Sequence, residues 1–151
     1  MKKIVLLGLA IILFTACKAT YSRSAQSDLK GAWTITDVSY SQNDINVKAL
    51  GLMDAKCFKN SLWNFTPNNQ TGNFQSEGSQ KCASQQMNFK WYITLDNQFG
   101  LKFLEEDVKA KKILSGYLFG ISNQTENSFK LTQSASLDGK SIQIYYQFTK
   151  N

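Results

Sequence analysis

The sequence predicts an all-β protein: eight antiparallel strands, joined in order by short turns and closed up-and-down into a barrel, with one short helix or lid after the first strand. Three observations predict it. From Leu29 onward, apolar side chains recur at every second position rather than every third or fourth. The apolar runs are short and are punctuated by turn residues such as Asp96-Asn97 and Asp138-Gly139. Most runs are dry on one face only, and eight such strands can bury those faces by closing on themselves. A two-sheet sandwich satisfies the same pattern and is the competing architecture.

Taken in order, Trp33 and Ile35 open a strand running from about Ala32 to Tyr40. Asp44 to Lys56 follows, with Ile45, Val47, Leu50 and Met53 at roughly helical spacing, so it reads as a short helix or an irregular lid. Trp63 and Phe65 share one face of a strand that stops at Pro67, and Gly72 to Glu77 is its short partner. Phe89, Trp91, Ile93 and Leu95 alternate with Lys90, Tyr92, Thr94 and Asp96, and Phe99, Leu101 and Phe103 make the next dry face after a hairpin at Asp96 to Gln98. Ile113 to Ser122 is apolar on both faces, and its Gly116 and Gly120 predict a bend or a close approach of another segment. Phe129 and Leu131 mark the seventh strand. Ile142, Ile144, Tyr146 and Phe148 mark the last.

The chain ahead of this pattern reads as an address. Lys2 and Lys3 precede an apolar run from Ile4 to Phe14, and Phe14-Thr15-Ala16 leads into Cys17. The run is about eleven residues, short of the roughly twenty a membrane span needs. The layout resembles the bacterial lipoprotein signal, whose cysteine is diacylated and becomes the mature N-terminus. That resemblance implies removal of residues 1–16, a lipid on Cys17 and a place in the cell envelope, at the outer membrane. Residues 17–28 are small and polar and read as a flexible tether, and residues 29–151 as the barrel domain.

Composition narrows the chemistry. The formal charge of +6 falls by two when Lys2 and Lys3 leave with the signal. The densest basic cluster, Lys109 to Lys112, directly follows Glu105-Glu106-Asp107, so no basic stripe suited to nucleic acid is present. The acidic trio reads as a loop tip rather than a cation site. Histidine is absent, which removes the commonest general base and the commonest metal ligand. No serine lies in a Gly-x-Ser-x-Gly context, so the chain reads as a non-enzyme with no cofactor. With Cys17 taken by lipid, Cys57 and Cys82 remain as an even pair in an oxidising compartment and are expected to form a disulfide.

Gly31-Ala32-Trp33 gains meaning from its place at the head of an eight-strand pattern. A Gly-x-Trp there resembles the lipocalin superfamily. The wider order, from cysteine through polar tether and Gly-x-Trp to a cysteine pair around the second and third strands, is similar to bacterial lipocalin-like lipoproteins. The resemblance implies that Gly31 and Trp33 are structural, with Trp33 plugging the closed end of the barrel. It also implies a cation packed on Trp33 near the last strands, for which Lys150 and Lys130 are the candidates.

The resemblance further implies a small apolar or amphipathic ligand, bound by a monomer held at the membrane through its lipid. Phe89, Trp91, Phe103 and Tyr146 are the candidate pocket residues, because they fall on the dry faces of mid- and late-barrel strands. The alternative is a barrel filled by its own side chains that acts by protein–protein contact. Ten Phe, six Tyr and three Trp in so short a chain weigh toward filling.

Overall fold

The computed structural model describes residues 22–104 and 116–151. Helix α1 (Arg23–Asp28) leads into β1 (Gly31–Tyr40). A two-residue hairpin, β2 (Lys48–Ala49) and β3 (Met53–Asp54), comes next and ends in a 3-10 turn at Ala55–Phe58. Then follow β4 (Leu62–Thr66), β5 (Thr71–Ser76), β6 (Gln85–Ile93), β7 (Gln98–Leu104), β8 (Tyr117–Ser122), β9 (Ser128–Leu137) and β10 (Lys140–Lys150). Strands β1 and β4 to β10 pair antiparallel, each with its neighbour in sequence, and β10 returns to pair with β1, closing an eight-stranded barrel. The sandwich alternative is excluded by that closure. Among the described residues no helix is long and apolar enough to cross a membrane.

Alternation does most of the folding. In β6, Phe89, Trp91 and Ile93 are buried while Lys90 and Tyr92 face out, and in β10 Ile142, Ile144, Tyr146 and Phe148 point inward. β1 shows how the pattern is re-phased. Trp33 and Ile35 are buried, then the register slips between Ile35 and Asp37, and Val38 becomes the next inward residue. One extra residue, Thr36, makes this bulge, which lets a long strand bend while keeping apolar side chains inside.

Two sequence expectations are corrected and two open alternatives are decided. The segment after β1 forms no α-helix at Asp44 to Lys56, because Asp44, Leu50 and Gly51 all have positive φ, which breaks any helical run. The irregular lid forms instead, and Val47, Ala49, Leu50, Met53 and Phe58 bury their side chains over one end of the barrel. Residues 23–28 are not loose tether. Ser22 caps α1 by accepting from the Ala25 N–H at 3.4 Å, and its own N–H donates to Ile93 O at 2.7 Å. β6 ends at Ile93, so Leu95 stands in the turn with 68% of its surface exposed, rather than continuing the dry face. Of the two glycines expected to permit a bend or a close approach, Gly116 has one, since a Cβ there would lie 3.1 Å from the Lys102 side chain, whereas at Gly120 it would meet only Thr132 Cβ at 3.9 Å.

Tighter approaches within the barrel strands occur at two other glycines. A Cβ on Gly72 would lie 2.3 Å from the buried Phe89 ring and 2.4 Å from Asn64 O, and one on Gly100 would lie 2.3 Å from the Tyr92 ring. In both cases an aromatic ring on the neighbouring strand lies across the bare glycine backbone. Cys17, the signal segment, Glu105-Glu106-Asp107 and Lys109 to Lys112 lie outside the described residues.

Candidate functional site: the barrel interior

The two ends of the barrel are built differently. At one end α1 and the 4–5, 6–7 and 8–9 connections come together, and Leu29, which ends α1, is fully buried. Trp33 stands directly above it. Its indole N–H donates to Leu29 O at 2.9 Å, and its ring meets Phe129 edge-on with centroids 4.8 Å apart. Lys150 Nζ lies 5.3 Å from the Trp33 ring centre, so Lys150 is the cation on the tryptophan, while Lys130 sits over Tyr145. Gly31 enters β1 at φ +112°, a conformation that L side chains rarely adopt. At this end the glycine takes the turn into the barrel and the tryptophan is fully buried over Leu29 and against Phe129.

Above the floor the interior is aromatic. Phe129 stacks on Phe148 at 4.4 Å, Trp63 on Phe74 at 4.8 Å, and Phe65 lies within 5.5 Å of both Phe89 and Trp91. Each buried tryptophan has a partner for its N–H, as a dry interior requires. Trp91 donates to Thr71 O at 2.8 Å and Trp63 to Ser61 Oγ at 2.8 Å, and Ser61 in turn donates to Phe58 O.

The other end carries the lid. Phe58 drops from the 3-10 turn into the barrel, with its ring centre 5.8 Å from that of Phe74 and 6.2 Å from that of Tyr146. Backbone hydrogen bonds from Asn60 N–H to Ile35 O and from Ile35 N–H to Ser61 O tie the lid's exit to β1. Cys57 and Cys82 form the expected disulfide and join the lid to the β5–β6 connection. Beneath the lid, Leu50, Phe58, Phe119 and Tyr146 border a residual space of about 10 Å³, room for about one water.

The four candidate pocket residues are all buried. Tyr146 borders the residual space; Phe89, Trp91 and Phe103 do not. Phe89 and Trp91 pack against Phe65, and Phe103 packs on Phe74 and Tyr117. The Tyr146 hydroxyl donates to Gln133 Oε1 at 2.8 Å. Burial, reinforced by Tyr40 and Asp54, holds its phenol well above the usual range, so it stays neutral. Burial and the neighbouring Asp54 likewise raise Tyr40. No group of three or more His, Cys, Asp or Glu side chains gathers at a metal-sized spacing among the described residues.

Leu50 and Phe58 complete this interior, and strand periodicity does not mark them because they come from turns. Cys57 is the one local sign that the segment is held down.

No protein-family model and no curated protein matches the chain. Solved structures with a similar course do exist. A bovine odorant-binding protein in complex with a selenium-containing odorant aligns with a TM-score of 0.48 at 11% identity, over 83% of this chain and 72% of that one. Odorant-binding protein OBP1 aligns at 0.46 and 10% identity, over 88% and 76%. The siderocalin Ex-FABP aligns at 0.36 and 9% identity, over 82% and 71%. These are lipocalin-fold proteins with eight-stranded barrels. The architecture of the present chain rests on its own strand pairing.

Proposed function

We propose that this chain is an envelope-anchored, non-enzymatic, lipocalin-like barrel that acts through its outer surface, as an interaction protein, rather than by carrying a molecule inside. One observation carries the reading. The interior space bordered by Leu50, Phe58, Phe119 and Tyr146 is about 10 Å³, whereas ligand pockets run to roughly 300–1,000 Å³. The anchoring half of the reading is supported by the lipoprotein-like signal ending at Cys17.

A second reading keeps a specific observation in its favour. The residual space lies directly under Leu50 and Phe58, so displacing the lid would enlarge it next to Tyr146. On that reading a small apolar molecule takes the place of the lid's side chains.

Native mass spectrometry of protein purified from its own membranes separates the two. The interaction reading expects the mass of the processed, acylated chain with no small molecule retained, and a stoichiometric apolar adduct refutes it. In the same host, Cys17→Ser should leave the signal uncleaved and the chain without the paired acyl chains that make anchoring firm. Normal maturation and membrane fractionation of that variant would overturn the lipid anchor.

A further inference from the structure

We infer that the barrel stands on the bilayer by its closed end, with the β6–β7 turn as the foot and Leu95 entering the lipid interface. The inference rests on the anchoring reading above and adds a surface and an orientation to it. The first observation is where the chain joins the fold. Ser22 donates its N–H to Ile93 O, the last residue of β6, so the N-terminal segment meets the barrel beside the β6–β7 turn. From Cys17 to Ser22 is five residues, which reach at most roughly 18 Å when fully extended. A ten-residue strand such as β1 is itself about 33 Å long. An acyl group on Cys17 therefore holds the closed end near the membrane and leaves the lid end facing away.

The second observation is what that corner presents. Leu95 is the most exposed large apolar side chain among the described residues, at 68%. It is held out by a fixed turn rather than by a loose one. Thr94 N–H donates to Gln98 O at 2.9 Å, Gln98 N–H donates to Thr94 Oγ1 at 2.9 Å, and Asn97 takes the positive φ that closes the loop. Tyr92, half-exposed on the last outward position of β6, lies across Gly100, and Leu118 faces out on the far side of that glycine. Single surface leucines such as Leu62 need no explanation. A leucine held out by a hydrogen-bonded turn, beside the point where a lipid-bearing segment enters, does. A tyrosine next to it suits the boundary between headgroups and acyl chains.

The occupant is the bilayer and not an anionic partner, because the local charges oppose one another. Asp96 stands exposed in the turn itself, and Arg23, the residue after the one that meets β6, is exposed with the opposite sign, so this corner carries no single-sign patch. Apolar contact selects this face, and salt should leave the contact unchanged.

The test uses the full-length acylated chain in phosphatidylethanolamine–phosphatidylglycerol vesicles. An environment-sensitive dye is placed on Leu95→Cys or, at the opposite end, on Lys140→Cys. The expected result is a blue shift at position 95 and its loss of emission to a headgroup-attached quencher, at low and high salt alike, with neither effect at position 140. Equal responses at the two positions, or a water-like spectrum at 95 in protein that floats with the vesicles, would overturn the orientation while leaving the anchor standing. Shielding at 95 in native membranes but not in pure lipid would also overturn it, in favour of a protein partner. Failure of the protein to float at all would remove the anchor and the orientation together.

Discussion

Gly72 and Gly120 each sit inside a barrel strand, yet a methyl group would meet opposite surroundings at the two positions. At Gly72 the Phe89 ring is fully buried and Asn64 O is backbone, so neither can yield to a Cβ. Gly72→Ala should therefore cost about 1–3 kcal/mol or more through overpacking. Gly120→Ala has ordinary contact distance and a conformation open to alanine, and should be neutral or stabilising by about 0.4–1 kcal/mol through the unfolded chain. Urea midpoints of the two variants check this, and equal losses would mean that the Phe89 ring is not pinned across Gly72. Tyr146 gives a second residue-scale expectation. Its neutral phenol is favoured in the fold, so above the ordinary tyrosine pKa of about 10 the unfolded chain releases a proton that the folded chain keeps. Stability should be intact below about pH 10 and fall as pH rises beyond it. Tyr146→Phe should flatten that decline, while costing about 1 kcal/mol for the lost bond to Gln133. Denaturant midpoints from pH 8 to 11 measure both effects, and an unchanged alkaline slope would rule Tyr146 out as its source.

At the scale of elements, the lid depends on its staple. The Cys57–Cys82 bridge spans a sequence separation of 25, and closing such a loop is worth roughly 3.5 kcal/mol on the chain-entropy model. Reduction should lower the melting temperature by roughly 10 °C for a domain of this size. It should also raise hydrogen exchange across residues 41–60 before the barrel strands respond, because the hydrogen-bond ladder between β9 and β10 does not involve the lid. Uniform loosening of lid and barrel would mean that the bridge stabilises only the whole. This element also shows what a sequence conceals. The strands were legible because a half-buried strand writes its geometry into every second residue, as Phe89, Trp91 and Ile93 do. The lid was not. Val47, Leu50 and Met53 fall at helical intervals, but the positive φ at Leu50 and Gly51 turns the chain back on itself, and the burial comes from a hairpin. α1 was hidden for the opposite reason. Five of its six residues are polar and they carry no apolar stripe, and they are ordered by the Ser22 cap and by packing of Leu29 beneath Trp33. Leu95 misled because an alternation that truly describes β6 runs two residues past the strand's end.

For the whole molecule, the question is whether the barrel is a container or a solid body. The candidate pocket residues were legible as inward-facing, but periodicity says only which way a side chain points and not whether anything is left between them. That is decided by Phe58, which enters from outside the strand pattern and closes on Phe74 and Tyr146. Removing it tests the reading directly. The native protein should not take up an apolar fluorescent probe or a benzene-sized ligand, since the residual space beside Phe58 holds about one water. Phe58→Ala should cost about 3–5 kcal/mol, as large-to-small changes in a packed interior do. It should also create a dry apolar cavity that binds benzene-sized ligands and recovers part of the lost stability as their concentration rises. Thermal shift with and without ligand, on both proteins, gives the comparison. If the unmodified protein is itself stabilised to saturation by such a ligand, while Phe58→Ala costs little, then the phenyl ring is a movable stopper over a functional cavity. The barrel is then a carrier, and its surface role falls.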